Sequence, residues 1–330
     1  MTARRAGVGP DIRVGTSGWS YPSGKGTWNG IFYPGQPARR PRGTPKFDEL
    51  AFYAEHFDTV EVNSSFYRVP TVAAVEKWVE RTPSGFEFSL KLYQKFTHPD
   101  MFAKATGADP SHPSQLGKKD VDEFRAAIEP LLNAGKLGAL LAQFPASFKN
   151  DPESSGYLEW LLKAFKDYPV AVELRHRSWS EHPKETAQIL AAHDAALAQI
   201  DEPKFRTSIR QTLLPNVKSF YYLRLHGRNA AQWWKHEASE DRYNYLYTPE
   251  ELQPFAEAAR AASREVKKAY LYANNHFSAK SVANATILKA QLGQDLEGEY
   301  PADFVEEYPD LKGMVKLLPE QQSLTSRKPS

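Results

Sequence analysis

The sequence predicts an α/β fold, a single (β/α)8 TIM-like barrel with long loops at its C-terminal face. Three observations carry this reading. Eight strand-like segments alternate with amphipathic stretches, the order that yields a parallel sheet covered by helices. Read with period two, those strands put charged or amide residues on one face: Glu61 with Asn63, Glu173 with Arg175, Arg224 with His226. Helices cover the outside of such a sheet, so this polar face must look into the barrel. Finally, three long Gly-, Pro- or aromatic-rich segments, Tyr21–Lys46, Thr97–Lys119 and Arg228–Thr248, all follow strands. In a barrel they share the C-terminal face, where barrel enzymes build their sites.

The strand segments are Ile12–Gly15, Thr59–Asn63, Phe86–Lys91, Gly138–Phe144, Val170–Arg175, Ala196–Asp201, Phe220–His226 and Ala269–Asn274. Between them, Phe47–Ala54, Val72–Arg81, Val121–Leu132 and Tyr157–Phe165 space their apolar residues for one helical face. Thr248 precedes Pro249 and reads as the cap of a helix with proline at its first position. Ser278–Leu292 closes the series, and the sixth unit is the weakest, with a short irregular helix expected near Phe205–Leu213. The barrel is expected over residues 1–297 and a C-terminal extension over 298–330, with polar Ser323–Ser330 expected to be mobile.

Composition narrows the function classes. The 330 residues are 41% hydrophobic and 25% charged, an ordinary globular balance, and the net charge of +2 is low for a dedicated nucleic-acid binder. No cysteine is present, which excludes disulfides, thiolate ligands and a cysteine nucleophile. Met1–Ile12 lacks the apolar core of a secretory signal and no apolar run is long enough to span a membrane, so a soluble, cytoplasmic protein is expected. Neither a phosphate-binding loop with lysine nor a dinucleotide-binding glycine fingerprint occurs, and Thr16-Ser17-Gly18 lacks the flanking glycines of a nucleophile elbow.

Several motifs resemble those of the YecE-like family, also called domain of unknown function 72. They are Gly15-Thr16-Ser17-Gly18-Trp19-Ser20-Tyr21, the run Phe57 to Tyr67, Phe88-Ser89-Leu90-Lys91, Gln143-Phe144-Pro145, Val172-Glu173-Leu174-Arg175-His176, Arg224-Leu225-His226-Gly227, Arg242 to Tyr247, and Asn274-Asn275. They span about Arg13 to Leu292. The resemblance implies a TIM-like barrel and no particular reaction. Two features depart from the family's commoner pattern: the lengthened Arg-rich loop Ala38–Gly43, and His276-Phe277 after the paired asparagines.

The inward set by period two is Glu61, Asn63, Lys91, Gln143, Glu173, Arg175, Asp201, Arg224, His226 and Asn274. Buried charges need a partner or a purpose, because desolvating each costs several kcal/mol. One reading is a self-neutralising ion network that merely fills the barrel. The functional reading is an acid–base enzyme of hydrolase type acting on a small polar, anionic substrate such as a sugar phosphate or nucleotide. Glu61 and Glu173 would be acid and base, with His226 as a third catalytic group. Arg175, Arg224 and Lys91 suit the anion, while Asn63, Gln143, His176, Asn274, Trp19 and Tyr67 would complete substrate binding. Trp179 and Phe66 join Trp19, Tyr21 and Tyr67 as candidate stacking rings. No cofactor is expected. An alternative is a metal-dependent phosphoesterase or sugar isomerase with a divalent ion on Glu61, Glu173, Asp201 and His226. His98, His112, His182, His193 and His236 read as surface or loop histidines. A third reading is a non-catalytic nucleotide or nucleic-acid binder using Arg39, Arg40 and Arg42 with Trp233, Trp234, Lys235 and His236. The sequence leaves the oligomeric state open.

Overall fold

A computed structural model describes residues 11–35, 47–107, 117–233 and 240–319. Its parallel strands are Asp11–Ser17, Thr59–Val62, Glu87–Lys91, Leu137–Gln143, Val170–Glu173, Ala196–Leu197 with Gln199–Asp201, Phe220–Leu225 and Lys268–Ala273. Each pairs with the next, and the last pairs with the first, so the sheet closes through the two halves of the sixth strand. The fold is the TIM-like barrel that the alternating pattern predicts.

The helices form where the amphipathic spacing places them: Glu49–His56, Val72–Glu80, Lys118–Asn133, Pro152–Ala164, Pro249–Ala262 and Lys280–Gln291. Thr248 and Glu251 make a reciprocal capping box around Pro249. Two expectations need correction. The loop after the third strand contains a helix, Pro99–Thr106, opened by Pro99 at its first position and closed by Gly107 at φ +72°. The sixth helix does not form. The segment from Phe205 to Asn216 instead lends side-chain amides to the broken sixth strand: Leu197 N–H donates to Asn216 Oδ1 at 2.7 Å, and Ile200 N–H to Gln211 Oε1 at 2.9 Å. Those amides satisfy backbone groups that the interrupted ladder leaves open.

The interior of the barrel is layered. At the N-terminal end, Glu87 meets Arg13, Lys268 and the Tyr270 hydroxyl. Above it, small residues on strands four to six (Ala139, Ala171, Ala196) leave room for Tyr222, Tyr270 and Tyr272 from the last two strands. Register then brings Ser17, Glu61 and Ser89 side by side, and Gln143 beside Glu173, toward the C-terminal end. Residues 299–318 add a parallel pair, Glu299–Tyr300 with Lys316–Leu317, and Tyr300 is buried against Phe32, His56 and Phe304. Among the described residues no helix is long and apolar enough to cross a membrane.

Candidate functional site

At the C-terminal mouth, one guanidinium holds two acids. Arg224 donates to Glu61 through Nε (2.9 Å) and Nη2 (2.6 Å), and to Glu173 (2.5 Å) and Gln143 (3.0 Å) through Nη1. Four of its five N–H groups are thereby used, leaving one on Nη2. Glu61 also accepts from the Ser17 and Tyr222 hydroxyls, each at 2.7 Å. Its two oxygens therefore take four donors, the capacity of a carboxylate. Glu173 receives Arg175 through Nε (2.7 Å) and Nη2 (2.6 Å) in addition to Arg224. Burial alone would raise the Glu173 carboxyl, but Arg224 and Arg175 hold it well below the usual range.

His226 is fully buried beside this cluster. Asn274 Nδ2 lies 2.8 Å from its Nδ1, and its Nε2 lies 3.4 Å from Arg224 Nη1, 3.4 Å from Arg175 Nη2 and 3.5 Å from Glu173. Asn63 in turn donates to Asn274 at 3.4 Å. Burial drives the His226 imidazole down to about 3, so it is neutral. Of the residues expected at the site, Glu61, Gln143, Glu173, Arg175, Arg224, His226, Asn63 and Asn274 thus form one connected network.

Lys91 is placed differently. It is half-buried at the end of the third strand, with Nζ 3.9 Å above the Phe66 ring. Two carboxylates already meet two guanidiniums, and among the described residues no ion pair or hydrogen bond reaches Nζ. Burial, then the charges of Arg224 and Arg175, bring its ammonium down to about 7. Lys91, Arg224, Gln143, Asn63 and Asn274 line a cavity of about 330 Å³ with Tyr67 and Trp19 at its wall. Tyr67 is 67% exposed and makes a T-shaped contact with the Phe66 ring at 5.1 Å, whereas Trp19 packs edge-on against Trp78 and Phe88.

Other expectations do not converge here. The Asp201 carboxylate is taken by Arg228 (2.8 and 3.2 Å) and the Tyr247 hydroxyl (2.7 Å). Glu61 and Glu173 are filled by arginines, so the expected four-residue metal set is not assembled. Among the described residues no group of three or more His, Asp or Glu gathers in a metal-binding arrangement. His176 bonds Ser178 at 2.8 Å and lies outside the cavity lining. Trp179 is buried, donating to the Phe148 carbonyl and stacking on that ring, so it is packing rather than a platform. Trp233 is buried edge-on to His226. Arg39, Arg40, Arg42, His112, Trp234, Lys235, His236 and Ser323–Ser330 lie outside the described residues.

Four contributors escape the sequence reading. Glu202 is buried 3.6 Å from Arg175, with Oε2 lacking a hydrogen-bond partner, and burial pushes its carboxyl up. It immediately follows the expected Asp201, so only tertiary geometry tells the two apart. His98 is half-buried edge-on to Phe66 at 5.0 Å. His276 and Tyr243 share a wall of the cavity, His276 stacking on Tyr21 at 4.3 Å. Two glycines shape the rim. Gly18, at φ +90°, donates its N–H to the Glu61 carbonyl, and a Cβ there would sit 2.7 Å from the Tyr21 hydroxyl. Gly227, at φ +88°, would bring a Cβ 2.7 Å from that of Tyr245.

The model of the family described as "Protein of unknown function DUF72" matches residues 13–305. The UPF0759 protein YunF of Bacillus subtilis is 27% identical over 297 residues, covering 88% of this chain and 98% of that one. The UPF0759 protein YecE of Escherichia coli is 30% identical over 127 residues, 38% of this chain and 41% of that one. Among solved structures, a DUF72 family protein from Thermotoga maritima superposes with a TM-score of 0.69 at 32% identity, covering 86% of this chain and all (100%) of that one. A DUF72 family protein from Enterococcus faecalis gives 0.70 at 26% identity, covering 88% and 99%.

Proposed function

We propose that this chain, which belongs to the DUF72 family, is an acid–base enzyme that receives a small anionic molecule at the barrel mouth and moves a proton with Lys91. The observation that carries this reading is the state of Lys91: a cation in the cavity with no acid of its own, beside a guanidinium with one N–H to spare. An entering carboxylate or phosphate gains the pairing that the protein withholds. A lysine poised near neutrality can give or take a proton at the working pH.

The division of labour differs from a pair of catalytic glutamates. A carboxylate that already accepts four donors, or that is clamped between two arginines, is a poor base. Glu61, Glu173, Arg175, Arg224 and His226 serve better as the rigid floor that fixes the cavity. Hydrolysis, the reaction class expected from the sequence, needs a donor for the leaving group and an acceptor for the proton of water, and Lys91 has the affinity for both. The exposed Tyr67 ring at the cavity wall favours a substrate with a flat ring, so a nucleotide belongs beside a sugar phosphate among the candidates.

The test is a melting and calorimetric comparison of sugar phosphates, nucleotides and matched uncharged sugars against wild type and Lys91→Met. An anionic ligand at 100 times its dissociation constant stabilises the fold by about 2.7 kcal/mol. Phosphorylated compounds should stabilise the wild type, and Lys91→Met should weaken them at least about tenfold, about 1.4 kcal/mol. Equal stabilisation by the uncharged sugars, or an unchanged affinity in Lys91→Met, would refute the reading.

A further inference from the structure

A half-buried lysine amine in a cavity can do more than shuttle a proton. A lysine becomes a nucleophile toward carbonyl carbon when it is desolvated or set beside other cations. Lys91 meets both conditions. Its stem leaves the third strand and its Nζ rests 3.9 Å from the centre of the Phe66 ring. The charged and titratable groups around it come from four other parts of the barrel: Arg224 from the seventh strand, Glu173 from the end of the fifth with Arg175 just past it, Glu61 from the second, and His98 from the segment after the third. Glu61 and Glu173 favour the charged amine, but both carboxylates are already bonded to the arginines, and burial together with Arg224 and Arg175 outweighs them.

We propose that Lys91 forms an imine with a carbonyl compound bearing a carboxylate or phosphate, whose anion meets the remaining Arg224 N–H and the Gln143 amide. This rests on the reading of the mouth as an anion-receiving site and names its substrate class as anionic aldehydes and ketones. The step balances without a further reactant. The amine nitrogen attacks the carbonyl carbon, forming a C–N bond. The C–O bond then breaks, and the oxygen leaves as water with the two protons that the nitrogen gives up. A cavity of about 330 Å³ takes a compound of a few carbons with its anionic group.

The test is reductive trapping on the full chain. Glyoxylate, an anionic aldehyde, and acetaldehyde, an uncharged one, are each added with cyanoborohydride, and the adduct is located by peptide mass spectrometry. Glyoxylate should label Lys91 at least about tenfold faster than any other lysine, with a pH midpoint near 7, and inorganic phosphate should suppress that labelling. Acetaldehyde should lose most of the preference. Lys91→Arg keeps the charge and has no reactive amine, so its melt reports folding while its labelling falls to the surface-lysine rate. Labelling spread evenly over lysines, or undiminished in Lys91→Arg, would overturn the imine. Anion binding that depends on Lys91 with no trapped adduct would overturn the imine alone and leave the acid–base reading standing. Failure of anions to bind would remove both.

Discussion

Replacing Arg224 by methionine tests whether the mouth is held together by that one guanidinium. In the native cluster it supplies two of the four donors to Glu61 and one of the charged partners of Glu173. Methionine approximates the volume of the stem, so the packing loss is small. Glu61, fully buried, keeps only the Ser17 and Tyr222 hydroxyls and loses its cation. Glu173 keeps Arg175. Breaking a buried pair by removing one partner costs roughly 3–5 kcal/mol, which should appear as a lower urea midpoint at unchanged slope. Glu61→Gln retains shape and two hydroxyl contacts, and should cost about 1–3 kcal/mol. The double variant should be less destabilised than the sum by about 1–3 kcal/mol, since the stranded carboxylate is then gone. Arg224→Met as stable as wild type, or single effects that add within about 0.5 kcal/mol, would refute the reasoning.

Three further outcomes are expected. Lys91 binds its proton less well folded than unfolded, from 10.5 down to about 7, so the wild type gains stability as pH rises from about 7 to 10.5 and is flat in this respect below 7. Lys91→Met should therefore be the more stable protein at pH 6 by roughly 1–3 kcal/mol, the full shift of about 5 being screened by cavity water; urea titrations at pH 6 and pH 10 check both the gain and its disappearance. His226 and His276, lowered by burial to about 3 and about 4, are neutral in the fold and charge on unfolding. Their contribution is complete above 6.5 and is lost as pH falls, by up to about 3 kcal/mol each at pH 4, so His276→Phe should flatten the acid limb of a stability profile. Gly18→Ala places a Cβ against Tyr21 at a left-handed φ and should cost about 1–3 kcal/mol and loosen the cavity rim, read as a lower melt and weaker anion binding.

Much of the fold was legible because period two and period 3.6 are local signals. The strands from Asp11–Ser17 to Lys268–Ala273 agree with the expected segments to within a few residues. The sixth unit was not legible in that way: Gln211 and Asn216 replace a helix by side-chain hydrogen bonds to distant backbone, which no periodicity encodes. At the mouth, alternation correctly put Glu61, Glu173, Arg175 and Arg224 in one space. It could not say that the arginines would consume both acids, because that depends on which N–H meets which oxygen. Nor could it separate Asp201, held by Arg228 and Tyr247, from Glu202 beside Arg175. The environment of Lys91 arises from a ring four residues past one strand, an arginine on another and an arginine just past a third, and so emerges only on folding.

The most direct measurement is the titration of Lys91 itself, by carbon-13 NMR of the protein with isotope-labelled lysine side chains and Lys91→Arg to assign the signal. One resonance should titrate near 7, vanish in Lys91→Arg, and move to higher pH when inorganic phosphate fills the mouth. Titration of Lys91 at the ordinary lysine value of about 10.4, unmoved by phosphate, would contradict an unpaired, reactive lysine at the centre of the site.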